Sequence, residues 1–265
     1  AQVGGCLQTF RRGAALFDTG FHYVGALGEG ESLHTLFSYF DLMSLPWKKL
    51  DEDCFDEVVI GEDAFAFANK HQRFYERMSA RFPKEREGLK KYVDFLKQVG
   101  DHIFDSFNLQ NEGTFTNSLF TRSAYEFLNE TIKDPLLRKV LSGTSLKMEL
   151  NAPTLPLYTF AQINDSFIRS AWRLRGGGMQ IADKLVGGIE AMGGEVKTRA
   201  IVTYIKEEDG KVVGVTVNDE DYLEADWIIS STHPAYTVSL IGESKKMRRI
   251  YRDRITNLDN TFGMF

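Results

Sequence analysis

The sequence predicts a mixed α/β chain of the α+β kind, in which a mainly helical block interrupts a domain of glycine turns, strands and one amphipathic helix. Three observations carry this expectation. The chain opens on Val3-Gly4-Gly5-Cys6-Leu7-Gln8-Thr9-Phe10, and the turn-rich Phe17-Asp18-Thr19-Gly20-Phe21-His22-Tyr23 follows closely. Its middle, roughly residues 27–170, repeats apolar residues at intervals of three and four, the helical period. From Leu174 onward a triple glycine, an amphipathic segment and short alternating runs separated by turn residues predict a helix followed by strands.

The elements are expected in the following order. The adjacent Gly4 and Gly5 lack the Cβ atoms that would keep a backbone from lying against a flat or anionic ligand, and a tight turn is expected at Gly20. Ser32 is placed to cap a helix running to about Leu42, with Leu33, Leu36, Phe37 and Phe40 on one side and Pro46 closing the segment. Two strand-like runs, Phe55 to Ile60 and Ala64 to Phe67, flank Gly61 and predict a hairpin. From Asn69 to about Asn111 the pattern is helical, broken once at Phe82-Pro83. There Leu89, Tyr92, Val93, Leu96, Val99, Ile103, Phe104 and Phe107 form one long stripe, suited either to a buried bundle helix or to one wall of a ligand tunnel.

Two or three further helices are expected between Arg122 and Trp172, punctuated at Asp134-Pro135 and at Asn151-Ala152-Pro153. After Arg175-Gly176-Gly177-Gly178, a helix should carry Ile181, Leu185, Ile189 and Met192 on one face and end at Gly193-Gly194. Strands are expected over about Val196 to Lys206 and Lys211 to Asn218, joined by the hairpin dipeptide Asp209-Gly210, and then over Tyr222 to Ala225 and Trp227 to Ser231. Lys245, Lys246, Arg248, Arg249, Arg252 and Arg254 form a basic stretch, read either as a solvated helix face or as a contact for anionic lipid head groups.

Composition narrows the function. With 265 residues the chain can bury a large core, and two unequal parts are expected. The net charge of -5 and the lack of a basic stripe interleaved with aromatics argue against nucleic acid and for a small-molecule ligand. Cys6 and Cys54 are the two cysteines, with no Cys-x-x-Cys pair and no Cys/His cluster, which fits a reducing compartment and argues against a disulfide framework or a structural zinc. His22, His34, His71, His102 and His233 never stand at the i, i+4 spacing of a helical metal site, so no metal is implied. No apolar run approaches the roughly 20 residues that span a bilayer and no signal peptide leads the chain, so a cytoplasmic or peripheral membrane location is expected. The 20 Phe and 10 Tyr should mostly be core, although such density would also line a tunnel for a long apolar substrate.

The ordered set Gly4, Gly5, Cys6, Thr9, Phe10, Gly13, Phe17, Asp18, Thr19, Gly20, His22, Tyr23 and Gly25 resembles the flavin-binding oxidoreductases of the phytoene desaturase type, most closely the retinol saturases (all-trans-retinol 13,14-reductases). The block from Gly176 to Pro234 is similar to the second part of the flavin domain in the wider amine oxidase and desaturase superfamily. That resemblance implies a partial FAD/NAD(P)-binding domain with a mainly helical substrate domain inserted: residues 1–26 and 171–234 to the flavin domain, 27–170 to the substrate domain, and 235–265 to the start of a second substrate-domain segment. It implies FAD contacts at Gly4, Gly5, Thr9, Gly20, Phe21, Gly177, Gly178 and Val202, with the Val202 backbone reading the adenine and the front glycines converging on the same coenzyme. The family also has a strand, a Gly-x-Gly-x-x-Gly turn and a helix ahead of this point, and a closing glycine and acid segment. Neither is found here, the chain stopping at Thr261-Phe262-Gly263-Met264-Phe265 in what reads as the start of a strand, so an excised middle that does not hold FAD firmly is expected.

The implied reaction is saturation or desaturation of a carbon-carbon double bond in a long isoprenoid, a retinoid or carotenoid, by hydride transfer with the flavin, with NAD(P) as a possible electron donor. His22 and Tyr23 are the two candidates for a proton donor, because both exchange protons and their motif would lie near the flavin. His22 serves equally as a structural imidazole at the turn. Two alternatives stand beside this: a flavin amine oxidase-like enzyme, and a non-catalytic apolar-ligand or membrane-docking module.

Overall fold

The computed structural model describes residues 2–104, 114–149, 153–242, 244 and 246–258. The expectations placed on Phe107 and the helix end near Asn111, on Asn151-Ala152, on Lys245 and on the terminal Thr261 to Phe265 lie outside the described residues. The chain divides into two compact units, Val3–Ala191 and Met192–Phe265 together with Ala1–Gln2.

In the larger unit the strands are β1 (Thr9–Arg12), β2 (Ala15–Asp18), β3 (Val24–Gly25), β4 (Trp47–Lys49), β5 (Asp56–Ile60), β6 (Asp63–Phe67) and β7 (Ala171–Leu174). Its helices are α1 (Ser32–Tyr39), α2 (His71–Arg81), α3 (Arg86–Asp101), α4 (Thr114–Leu119), α5 (Ala124–Thr131), α6 (Pro135–Leu141), α7 (Leu157–Arg169) and α8 (Met179–Ala191). β1 and β2 form an antiparallel hairpin in which Phe10 opposes and stacks on Phe17, ring centroids 5.5 Å apart. β5 and β6 form the hairpin expected around Gly61. A third sheet, in the order β3-β7-β4, was not foreseen. Its strands are two to four residues long and pair across distant parts of the chain, so no local periodicity announces them.

The stripe on α3 is buried from Leu89 to Val99, whereas Phe104 beyond the helix is 53% exposed. Its rings and those around it fill the core. Phe67 meets Phe74 at 5.3 Å, Phe74 meets Tyr92 at 6.4 Å, and Tyr92 meets Phe160 at 6.4 Å, distances at which aromatic pairs attract beyond their buried area. These aromatics form a packed interior, the bundle reading of the stripe.

Polar side chains set the helix ends. Asp134 accepts hydrogen bonds from the Leu136 and Leu137 amides at 2.8 and 3.2 Å, with Pro135 at the first helical position of α6. Buried Glu85 reaches the Lys133 and Asp134 amides at 3.2 and 2.8 Å, tying the start of α3 to that turn. The expectation for Ser32 is corrected: it is the first helical residue, and Glu31 stands at the cap position without capping α1. The Glu31 carboxylate instead accepts from the Gly28 amide at 2.7 Å and from the Ser170 hydroxyl. α1 also ends at Tyr39 rather than Leu42, where a left-handed Asp41 (φ 56°) breaks the helix.

The smaller unit holds an antiparallel sheet of β8 (Val202–Glu208), β9 (Lys211–Val217) and β10 (Asp221–Glu224) in the order β10-β9-β8, with α9 (Pro234–Leu240) and α10 (Arg249–Thr256). Asp209 and Gly210 both take positive φ, 50° and 77°, as the two-residue hairpin turn requires. Two strand expectations fail here. β8 starts at Val202 and not near Val196, because Arg199 is left-handed (φ 58°) and the Asn218 side chain takes up the Ile201 amide and the Arg199 carbonyl. Trp227 to Ser231 joins no ladder, and Trp227 and Ile229 are 89% and 97% exposed. Apolar alternation does not make a strand without a neighbouring edge to pair with.

Candidate functional site

The two glycine-rich segments of the larger unit meet. Gly4 is left-handed (φ 100°) and its Cα lies so near α8 that a Cβ there would come within 3.0 Å of the Ala182 side chain. Gly5, at φ 49°, opens a short 3-10 turn through Leu7 and has open space on its side-chain face. Thr9 and Asp18 are cross-strand partners in the β1–β2 hairpin. Both face the Gly176–Gly178 loop, where the Asp18 carboxylate accepts the Gly178 amide at 2.7 Å and Arg173 lies 3.4 Å from its other oxygen.

The reason for glycine in that loop is close packing. A Cβ on Gly177 would fall 2.6 Å from the Thr9 methyl and 2.9 Å from Asp18 Oδ1, and one on Gly178 would fall 2.8 Å from the Phe21 Cβ. The chain bends at Thr19-Gly20 as expected, but Gly20 is not left-handed. It is small because it donates its amide to the Cys6 carbonyl at 3.0 Å, and a Cβ would sit 3.2 Å from that oxygen. The structure thus brings Gly4, Gly5, Thr9, Gly20, Phe21, Gly177 and Gly178 into one neighbourhood, and of these Gly5 presents open backbone.

His22 and Tyr23 differ sharply. His22 is exposed. Tyr23 is half-buried between Phe55 and Phe167, donates its hydroxyl to Asp56 Oδ2 at 2.5 Å and receives Lys147 Nζ at 2.5 Å. Burial, reinforced by the hydrogen bond to the Asp56 carboxylate and by its charge, pushes the Tyr23 hydroxyl well above its ordinary pKa. For Asp56, burial opposes ionisation, but the hydrogen bonds from Tyr23 and Lys147 and the Lys147 charge outweigh it and hold the carboxyl below its usual range. Lys147, at 3.0 Å from Asp56 Oδ2, also lies 4.1 Å from the Tyr23 ring centroid. Asp56 and Lys147 went unforeseen, since nothing in their sequence neighbourhood marks them as partners of Tyr23.

In the smaller unit Val202 opens β8 opposite Val217, and its carbonyl accepts the Tyr236 hydroxyl at 3.4 Å. With Ile205, Val215, Ile229 and Leu240 it lines an apolar cleft of about 350 Å³. Ser230, Thr232 and Thr237, whose hydroxyls are linked at 2.7–3.0 Å, stand beside it, Ser230 and Thr232 on its rim. In the basic stretch, Arg252 donates to the Val238 and Gly242 carbonyls and so closes the end of α9, while Arg249 stays exposed and lies 3.8 Å from Asp253. Among the described residues no group of three metal-ligating side chains occurs, and no helix is long and apolar enough to cross a membrane.

Residues 1–253 match the family described as flavin containing amine oxidoreductase. The chain belongs to that family. Its cofactor class is therefore the flavin implied by the sequence, and the mixed helix and strand fold agrees. All-trans-retinol 13,14-reductase of Danio rerio is 28% identical over 256 residues, covering 86% of this chain and 42% of that protein. The Homo sapiens protein of the same name is 24% identical over 82% of this chain and 39% of its own length. The chain thus spans about two fifths of the curated relatives it matches. Among solved structures, an oxidoreductase from Methanosarcina mazei aligns with a TM-score of 0.64 at 19% identity, covering 96% of this chain and 57% of that one. A redesigned putrescine oxidase aligns at 0.62 and 17%, covering 96% and 55%. Both likenesses speak to the fold.

The residues fit a flavin dinucleotide in part. Within the larger unit Gly5 leaves backbone uncovered, as a cofactor contact would require; taken by itself, the Val202 cleft of the smaller unit has apolar walls with hydroxyls beside them. Gly177 and Gly178 are filled in by Thr9, Asp18 and Phe21, so their small size is already accounted for within the protein.

Proposed function

We propose that this chain serves a FAD-dependent oxidoreductase that saturates or desaturates a carbon-carbon double bond of a long apolar isoprenoid, a retinoid or carotenoid. The observation that carries the reading is the Asp18–Gly178 hydrogen bond, which locks the front glycine motif to the second glycine loop. The names of the relatives support the retinoid class, with identities of 24–28%. FAD, when bound, accepts or delivers the hydride.

In this reading Gly4, Gly5, Thr9, Gly20 and Phe21 form and back a surface for the cofactor, Gly177 and Gly178 support that surface, and Val202 offers its backbone to the adenine. His22 carries the proton-donor assignment, because Tyr23 is already committed to Asp56 and Lys147. Residues 27–170 serve as the substrate domain, flanked by flavin-domain segments 1–26 and 171–234, and 235–265 opens a further substrate-domain segment. NAD(P) is the proposed electron donor. The location is a reducing compartment, in the cytoplasm or at a membrane periphery, with exposed Arg248, Arg249 and Ile250 available for lipid contact.

The test is turnover by the purified protein supplied with FAD, with NADPH as reductant in the saturation arm and a quinone as electron acceptor in the desaturation arm. Loss of polyene absorbance from all-trans-retinol or a carotenoid in the reducing arm, or a shift of it to longer wavelength in the oxidising arm, with no amine-dependent peroxide, is the expected result. Peroxide from an amine with no change in any polyene would instead support the amine oxidase reading, which the family's description favours.

A further inference from the structure

We propose that the groove beside the glycine loop, lined by Lys48, Arg173 and Arg175, is a binding subsite for the anionic head of an amphipathic ligand, a long-chain carboxylate or phosphate. The groove has a volume of about 310 Å³ and lies wholly within the larger unit. Its cations are set there by strand register. Lys48 of β4 stands directly opposite Arg173 of β7, and like charges directly opposite one another on adjacent strands repel. The sheet tolerates this pair with little acidic compensation.

Asp18 is the one acid on the groove wall, and its two oxygens are already engaged by the Gly178 amide and by Arg173. Among the described residues neither Lys48 nor Arg175 forms an ion pair. The Gly176 amide, also at the groove, donates to no described residue. An anion seated there would relieve the Lys48–Arg173 repulsion and take up charge-assisted hydrogen bonds that the protein itself leaves unmade.

The rest of the wall is apolar. Leu174 is buried beneath, Leu50 is half-buried and Leu16 is 41% exposed. A bare inorganic anion would leave this surface unused, whereas a chain attached to the charged head would cover it. The groove borders the proposed cofactor surface at Gly177, but anion binding there requires no redox turnover.

Two properties follow together and distinguish a binding site from a solvated charge cluster. Lys48→Gln removes the cross-strand repulsion, so in the absence of ligand it melts higher than the parent, while it weakens anion binding. Calorimetric titration with laurate, dodecyl phosphate, methyl laurate and inorganic phosphate, the amphiphiles below their micelle concentrations, reads the second property. At least one charged amphiphile should bind tenfold or more tightly than methyl laurate and than inorganic phosphate, the two heads separating carboxylate from phosphate recognition. Lys48→Gln and Arg175→Gln, made singly and together, should reduce that preference at least fivefold. Equal binding of ester and acid would overturn the proposal, as would inorganic phosphate matching the amphiphiles, or variants that keep the full preference.

Discussion

Gly100 offers a quantitative test of how the helical core is assembled. It lies at the end of α3, against α7, where a Cβ would stand 1.7 Å from Asp165 Oδ2 and 2.4 Å from its Cγ. Asp165 cannot simply step aside: its side chain is 2% exposed, with Oδ1 2.7 Å from His71 Nε2 and Oδ2 2.5 Å from Arg169 Nε. Arg169 is held in turn by Asp101 at 2.7 Å. Gly100→Ala must therefore either part the helices, at about 1–3 kcal/mol for overpacking, or displace a buried carboxylate from its partners, which costs about 3–5 kcal/mol when complete. Alanine's better helix propensity returns at most about 1 kcal/mol. The net expectation is a loss of about 3 kcal/mol, or roughly 10 °C in melting temperature for a unit of this size. Gly187→Ala is the matched control, since Gly187 is interior to α8, exposed, and has open space where its Cβ would go. It should gain up to about 1 kcal/mol. Thermal and urea unfolding followed by circular dichroism compare the two. If Gly100→Ala proved as stable as Gly187→Ala, the buried carboxylate would not be seated against α3 and the proposed helix contact would be wrong.

Four further outcomes follow from local geometry. Tyr23→Phe should cost about 1–2 kcal/mol at pH 7 by removing the bond to Asp56. Because the folded hydroxyl titrates above its unfolded value of about 10, that contribution is complete below pH 10 and fades as pH rises further, so parent and variant should converge in alkaline melts. Asp56 has the opposite sign: its folded pKa is depressed, so its contribution is present above about pH 4 and lost on acidification, and Asp56→Asn should flatten the acid limb of a stability profile. Glu85→Ala leaves the Lys133 and Asp134 amides without their acceptor and should lower stability by about 2 kcal/mol in urea titration. Gly210→Ala, forced to keep φ near 77° and to push the Lys246 side chain aside, should destabilise the smaller unit by roughly 1 kcal/mol, and Gly210→Asn by less, since asparagine tolerates the left-handed region better.

Features written in adjacent residues were legible from the sequence. Asp209-Gly210 reads as a two-residue hairpin because both positions accept positive φ, and Asp134-Pro135 reads as a helix start because one side chain caps while the next fixes the backbone. The stripe on α3 reads as core because its period matches the helix. What escaped depends on partners far along the chain. Trp172 pairs with Val24 on one side and Lys49 on the other, and no local pattern in any of the three residues encodes that. Arg199 shows the converse failure: a strand is expected from about Val196, but a left-handed residue inside that segment and the Asn218 side chain across from it end the ladder. The candidate site divides the same way, for the glycine motifs were visible, while the Tyr23 clamp from Asp56 and Lys147 required the fold.

That division changes how the glycine motifs should be interpreted. A glycine marks a place where something comes close, and sequence alone does not say whether the visitor is a ligand or the protein itself. At Gly177 and Gly178 the visitors are Thr9, Asp18 and Phe21, so the triple glycine acts first as a seam joining the opening hairpin to β7 and α8. Phe21 on one side is seated on Gly178 and edge-on to Trp47, and Tyr23 on the other is clamped by Asp56. His22 is held between these two anchors with its ring in the open, which restricts its backbone while leaving the imidazole accessible. His22→Gln should therefore leave the melting temperature within about 1 °C of the parent, as surface substitutions do, and lower turnover of the polyene. Equal loss of stability and activity would make His22 a structural residue of the seam and remove it from the chemistry.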